Sequence, residues 1–383
     1  MTRIFMHIII APDSLKGTAT THEAGQYLAQ GVREELTARG MDLDSTTLSI
    51  FPMADGGEGT AALFDGQHIT LPTTDAVGRL SEASYVFDES SSTAYIDVAA
   101  ASGLVSVHDQ LNPLGSDTFG TGVLIADAAS RGATRIVLGL GGSATTDGGT
   151  GILVALGAQL LDHSGRILPQ GGGGLSDIAQ IDTAMLNIPA ASVDWVLLGD
   201  VAATATGHTG TAHIYAPQKG ADEQQVQQLE AGITALCAFT GIDPMRAGIG
   251  AAGGIPISIL WLSALLHGTT DHVHLLPGAR VIANHTGLSA AIGSADVVIT
   301  AEGQYDTQSA TGKVVGTIIE LAQGTDTRVA VAAGKFVDKL PEGVLGHTLA
   351  DPAHCDVRTQ LQQAGRALIA AFLDESLESV KAQ

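Results

Sequence analysis

The hydrophobic pattern opens with a continuous apolar run, Ile4–Ala11, broken by the turn Pro12-Asp13-Ser14-Leu15-Lys16-Gly17. Such an unbroken run predicts a parallel strand covered on both faces. Beyond the turn, Ala24, Leu28, Val32 and Leu36 recur at helical spacing, with Thr20 and Glu23 as a capping box and Gly40 as the stop. A second strand is predicted over 46–51, followed by the loop Met53-Ala54-Asp55-Gly56-Gly57-Glu58-Gly59. The chain thus starts strand–loop–helix–strand, with polar loops after the strands, the edge at which open α/β sheets bind ligands.

From about 70 to 101 the pattern changes. Short alternating runs at 69–72, 83–87 and 94–98 predict a more antiparallel, inserted region. Further on, the chain predicts a strand at 135–140, a short helix within 150–158, a hairpin around 160–168 and a glycine loop at 170–174. A strand at 195–199 and a helix over 221–239 follow. The apolar stretch 251–266 reads as a buried helix interrupted by Pro256, too short and broken to span a membrane. Near 295 a doubly wound pattern resumes: strand 296–300, loop, helix 314–321, strand 328–333, then a terminal helix over 358–373. The expected architecture is two-domain α/β. Residues 1–80 and 281–383 pair into one parallel-sheet domain, and a large α/β domain, 81–280, is inserted into it.

The chain has 383 residues, 45% of them hydrophobic, with 48 glycines and only 4% aromatics, a balance that suits α/β layers better than a β-sandwich. The formal charge of −22 argues against nucleic acid or an anionic membrane as partner. It leaves room for a local site for a small anion. Cys237 and Cys355 stand far apart in no metal-like pattern and read as reduced thiols of a cytoplasmic protein. The apolar start is too short for a membrane span and lacks a cleavage-site pattern. The oligomeric state is open, a homo-oligomer included.

Lysine is scarce, and four lysines sit beside a glycine: Lys16-Gly17, Lys219-Gly220, Gly312-Lys313 and Gly334-Lys335. An ammonium beside bare backbone N–H groups is a phosphate-binding arrangement. The Asp13–Gly17 turn presents a carboxylate, the Ser14 hydroxyl and the Lys16 ammonium at one point. In the next loop Asp55 and Glu58 stand among Gly56, Gly57 and Gly59, suited to a metal or a hydroxylic substrate. Gly139-Leu-Gly-Gly-Ser-Ala144 formally fits a dinucleotide fingerprint, with Asp162 at the matching distance, but the segment after it is a poor helix start. A generic anion or nucleotide loop suits it better. Lys219 is expected at the N-terminus of the 221–239 helix, where a cation opposes the dipole unless an anion is shared. In Thr300–Asp306, Glu302 and Asp306 can supply a metal ligand and a base, and Lys313 a phosphate contact.

Taken in order, these stretches resemble glycerate kinases of the bacterial type 1 family: Ala11–Gly17, Pro52–Thr60, Asn112-Pro-Leu114 with Phe119–Gly122, and Gly139–Gly149, then Ala216–Ala221, Gly250–Gly254, Glu302–Asp306 and Gly312-Lys313. The resemblance implies a flavodoxin-like domain built from both chain ends, an inserted second domain, and a site in the cleft between them. It also implies transfer of the ATP γ-phosphoryl group to D-glycerate, giving 2-phosphoglycerate, with Mg²⁺. On that footing Lys16, Asp55, Asp306 and Lys313 are the catalytic candidates. Asp13, Ser14, Gly56, Gly57, Glu58 and Lys219 would bind substrate. Gly141, Gly142, Ser143, Thr145 and Asp147 would hold the nucleotide, and Asp200 and Glu302 the metal. The chain departs from the family pattern at 199–205, which lacks an Asn-Pro, at Gln304 in place of Arg and at Thr146 in place of Asn. Those changes keep open a kinase of a different small hydroxy acid. The other readings are a nicotinamide-dependent oxidoreductase using the Gly139 loop and a non-enzymatic two-domain binding protein.

Overall fold

A computed structural model describes residues 6–15, 17–199, 201–307, 309, 312–352 and 355–381, with side chains through 375. The chain forms two compact units, residues 1–55 with 278–383, and residues 56–277.

The first unit holds a five-stranded sheet in the order Leu345–Thr348, Arg328–Phe336, Val297–Tyr305, Met6–Ile10, Thr46–Ile50. All its pairings are parallel. In chain order this is 2-1-3-4-5, the flavodoxin-like arrangement, in which ligands bind where the order reverses at the carboxyl ends of the strands. The helix Thr21–Ala38 starts on the expected capping box: Thr20 Oγ1 accepts from the Glu23 amide, and Glu23 Oε2 accepts from the Thr20 amide. Its apolar stripe, Leu28, Val32 and Leu36, is buried with Leu361, Leu368 and Ile369 of the terminal helix Val357–Lys381.

The second unit is built on a six-stranded sheet in the order Val273–Pro277, Asp194–Gly199, Arg135–Gly139, Thr93–Asp97, Leu80–Asp88, Gln67–Thr74. The first four strands run parallel, and the last two add antiparallel. Trp195, Leu138 and Ile96 lie in its core at 0% exposure, so the sheet centre is covered on both faces. Because Gln67–Thr74 pairs along its whole length with Leu80–Asp88, the first seam falls between Asp55 and Gly56, not near residue 80.

Several local expectations are sharpened or corrected. The hairpin expected around 160–168 forms as a short one: Leu161 bridges Ile167, the Leu168 amide donates to the Leu160 carbonyl and the Asp162 amide to the Arg166 carbonyl, both at 2.9 Å, while Gln159–Leu161 also pairs with Gln180–Asp182. In Ala251–His267 the break lies at Ala252, Gly253 and Gly254, which have left-handed dihedrals, while Pro256 stands in the first regular turn, where a missing N–H costs little. The strand expected at 296–300 continues to Tyr305, so Glu302 and Gln304 are strand residues rather than loop residues.

Candidate active site

The site residues fall into two groups, one in each unit. In the first unit they gather at the carboxyl ends of the central strands. The Asp13 amide donates to the Ala301 carbonyl at 2.9 Å, which sets the Asp13–Ser14 turn against the strand that carries Glu302. Asp13 Oδ1 accepts from the Ser14 amide at 2.7 Å. Glu302 is 7% exposed. Its Oε2 accepts from Ser309 Oγ at 2.9 Å, while its Oε1 is buried with no hydrogen-bond partner. Burial pushes its pKa up to about 7. Ser309 and Lys313 pull it down, and Asp306 and Asp55 add repulsion. Asp306 Oδ1 accepts from the Ser309 amide at 3.2 Å and Oδ2 from Gln304 Nε2 at 3.0 Å. Lys313 caps the helix Val314–Ala322. Thus Asp55, Glu302, Asp306 and Lys313 form one electrostatic neighbourhood.

Ser309 was not singled out by sequence reasoning. It joins Glu302 and Asp306, and only its spacing from Asp306 could have signalled that.

An orphaned, buried carboxylate oxygen is a costly group unless a cation meets it. Glu302 therefore fits a hard divalent ion. Among the described residues no group of three or more His, Cys, Asp or Glu could hold a metal. Mg²⁺ takes one or two carboxylates and completes its shell with phosphate oxygens and water. Lys16 and Asp200 lie outside the described residues.

In the second unit two glycine loops lie backbone against backbone. The Gly141 amide donates to the Gly56 carbonyl at 2.8 Å, and a Cβ on Gly141 would stand 2.7 Å from Gly57 Cα. The first loop is braced by Asp97, whose two oxygens accept from the Gly59 amide at 2.9 Å and the Ala61 amide at 3.0 Å. Burial holds the Asp97 pKa up at about 7 despite these bonds. Asp97 too was missed. Its signal was an acid inside the apolar run 94–98. Glu58 is exposed at the rim of this loop.

The second loop turns on Asp147, which is wholly buried. Its Oδ2 accepts from the Thr118 amide (3.0 Å), Thr118 Oγ1 (2.7 Å) and the Gly151 amide (3.0 Å), and its Oδ1 from the Gly149 amide (3.1 Å). Asp147 is therefore an internal anchor, not a nucleotide contact. The loop is further propped by the Gly253 carbonyl, which accepts from the Gly148 amide at 2.9 Å. The amides of Gly142, Ser143 and Thr145 make no hydrogen bond to another described residue, and Thr145 Oγ1 is buried without a partner. A donor-rich loop of this kind suits an oxyanion.

Lys219 departs from expectation. It ends a short 3₁₀ turn, Pro217–Lys219, and the long helix Glu223–Thr240 starts later, capped by Asp222. Its ammonium is buried and donates to Ser143 Oγ at 3.1 Å and to the Thr145 carbonyl at 2.6 Å. It belongs with the second glycine loop rather than at a helix end. Asp162, required by the dinucleotide reading, is occupied in its own turn. Its Oδ1 accepts from the Ser164 and Arg166 amides, and its Oδ2 from Arg166 Nε.

Comparison with known proteins gives one consistent result. The family model described as "Glycerate kinase family" matches residues 8–371. A glycerate kinase of Bacillus subtilis is 35% identical over 86% of this chain and 85% of its own. Glycerate 2-kinase of Escherichia coli is 34% identical over 87% of this chain and 86% of its own. A solved structure assigned as glycerate kinase 2, from Salmonella typhimurium LT2, superposes with a TM-score of 0.73 at 30% identity, covering 97% of this chain and 99% of that one.

Proposed function

The chain belongs to the glycerate kinase family and is a kinase, and from that premise we propose that it transfers the ATP γ-phosphoryl group to the 2-hydroxyl of D-glycerate. The glycerate oxygen forms a bond to the γ-phosphorus as the β–γ bridging P–O bond breaks, so the products are 2-phosphoglycerate and ADP. Such transfer asks a protein mainly for positioning and charge stabilisation.

The second glycine loop supports the phosphate half of this reading: its amides at Gly142, Ser143 and Thr145 bond no other described residue, and the Lys219 ammonium bonds the same loop at Ser143 Oγ and the Thr145 carbonyl. In the first unit Asp306, fixed by Ser309 and Gln304, takes the hydroxyl proton, and Lys313 offsets charge near the carboxylates. Glu302 would hold Mg²⁺ through its orphaned oxygen, with Asp200 as the second candidate ligand. When bound, Mg²⁺ neutralises phosphate charge and draws density from the transferring group. Asp13 and Ser14, with Gly56, Gly57 and Glu58, are the candidates for holding glycerate. We place the reaction in the cytoplasm, in keeping with two free cysteines and the absence, among the described residues, of any helix long and apolar enough to cross a membrane.

A kinase of another small hydroxy acid is the second reading, favoured by Gln304. Its amide bonds Asp306, where an arginine would add a positive charge. The test is ADP formation by purified protein with Mg-ATP, alone and with D-glycerate, L-glycerate, lactate or tartronate. Stimulation by D-glycerate above all others supports the first reading. Stronger stimulation by another acid replaces it.

A further inference from the structure

A cavity of about 490 Å³ opens in the second unit beside the helix Thr150–Ala155. That volume suits a small organic molecule. Its walls are mostly apolar: Val154, Leu160, Leu168 and Leu175 line it, and Ile167 and Met185, both largely exposed, mark its mouth. Gly142, Ser143, Thr145 and Lys219 take no part in it, so it is separate from the loop assigned to phosphate. A single charged residue lines it, Asp117, which is 5% exposed. The Asp117 amide donates to the Ala76 carbonyl at 2.9 Å, and its Oδ1 accepts from the Phe119 amide at 3.0 Å, so the carboxylate is held from both sides. Its Oδ2 accepts from no described residue. Unlike Glu302 Oε1 it is not sealed inside the protein, and the space that Asp117 borders is this cavity. Burial, and then repulsion from Asp147, push the Asp117 pKa up to about 7 against the pull of the Phe119 amide. No described Lys, Arg or His answers it: Lys219 acts on Asp147 and not on Asp117. A buried carboxylate with no cation is a costly arrangement. A ligand bringing a cation would find an acceptor oxygen already in place.

We infer that this cavity is a second small-molecule site, built for an amphipathic amine whose ammonium group bonds Asp117 Oδ2 and whose apolar body lies along Val154, Leu160 and Leu168. The inference goes beyond the kinase reading and does not depend on it. An N–H donor with a full charge makes a stronger bond to a carboxylate than a neutral hydroxyl does. The apolar walls offer nothing to a polar body, and an anionic ligand would meet Asp117 and be repelled. Both features set the site apart from one for nucleotide or glycerate.

The test is a saturation-transfer NMR titration of the purified full chain, near pH 8, with phenethylammonium, its neutral counterpart phenethyl alcohol and the anion phenylacetate. Phenethylammonium should bind about tenfold or more tighter than the alcohol, the difference between a charged and a neutral hydrogen bond, and phenylacetate should not bind. Asp117→Asn keeps an oxygen for the Phe119 amide and turns an NH₂ towards the cavity. It should erase the advantage of the ammonium while leaving the alcohol within about threefold of its parent affinity. Val154→Trp, at a cavity position that is 40% exposed, should fill the space and weaken both ligands, so the location is tested even if Asp117→Asn fails to fold. Three results overturn the inference: no binding of phenethylammonium up to about 10 mM, equal binding of the ammonium and the alcohol, or ammonium binding that neither variant changes. The last would place the cation elsewhere, for example among Asp55, Glu302 and Asp306. None of these results bears on the kinase reading, because the titrations contain no nucleotide or glycerate.

Discussion

Replacing Asp147 with Asn keeps the shape of the side chain and removes its charge, so it tests directly whether this carboxylate organises the second glycine loop. The carboxylate accepts four hydrogen bonds, from the Thr118 amide and hydroxyl and from the Gly149 and Gly151 amides, and is fully buried. An asparagine must place its NH₂ where one oxygen stood. Seated at the Oδ1 position, it leaves the Gly149 amide facing another donor, at a cost of about 1–3 kcal/mol for a buried donor left unsatisfied. The three bonds at the other oxygen lose their charge assistance, about 0.5–1 kcal/mol each. The sum is roughly 3–6 kcal/mol, a large share of the ~5–15 kcal/mol that holds a domain together. Urea unfolding followed by tryptophan fluorescence is the assay. The chain has two tryptophans, Trp195 and Trp261, both within residues 56–277, so the signal reports that unit alone. With an m-value of ~1–3 kcal/mol/M, the midpoint should fall by about 1–2 M or more. A loss under about 1 kcal/mol would refute the anchoring role.

Other consequences follow from the same geometry. Gly253→Ala puts a Cβ 2.0 Å from the Thr145 carbonyl at a φ of +72°, so it should cost more than the ~1–2 kcal/mol of left-handed strain alone. It should also raise the KM for ATP, because that carbonyl holds Lys219; an unchanged KM would detach the 250–254 segment from the site. Glu302→Gln should lower kcat about a hundredfold or more with an unchanged circular dichroism spectrum, and turnover within threefold of the parent would remove Glu302 from the metal site. Asp97 has its pKa raised by burial from 3.8 to about 7, so between those values the native state keeps a proton that the unfolded state has lost. Its contribution to stability is therefore full below about pH 4 and lost as pH rises towards 7. Asp97→Asn should flatten the fall in the tryptophan-monitored midpoint over that window; parallel curves for the two proteins would contradict the assignment.

Local periodicity carried much of the fold. The run at 4–11, the Thr20–Glu23 capping box and the stripe through Leu36 give the first strand and helix because each depends on near neighbours. The first domain seam was not legible. Gln67–Thr74 looks the same in sequence whichever sheet it joins, and its membership is decided by pairing with Leu80–Asp88. The strand bearing Glu302 outran expectation because its last residues, polar in sequence, pair with Arg328–Phe336 across the sheet. At the site, residue types were readable but roles were not. Asp147 and Lys219 both looked like ligand contacts; Asp147 is saturated from within, and Lys219 is a buried member of the second glycine loop, bonded to Ser143 and Thr145. Asp97 escaped notice because its partners Gly59 and Ala61 meet it only in three dimensions, whereas Ser309 lies within seven residues of Glu302 and Asp306 and was readable only from that spacing.

The central claim, phosphorylation of glycerate at its 2-hydroxyl, is tested most directly by proton-coupled ³¹P NMR of the product formed from Mg-ATP and D-glycerate. Phosphorus attached through the CH oxygen appears as a doublet, and that is the expected spectrum. A triplet, from phosphorus on the terminal CH₂ oxygen, would establish a kinase of the other hydroxyl, and no new phosphate ester at all would contradict glycerate as the acceptor.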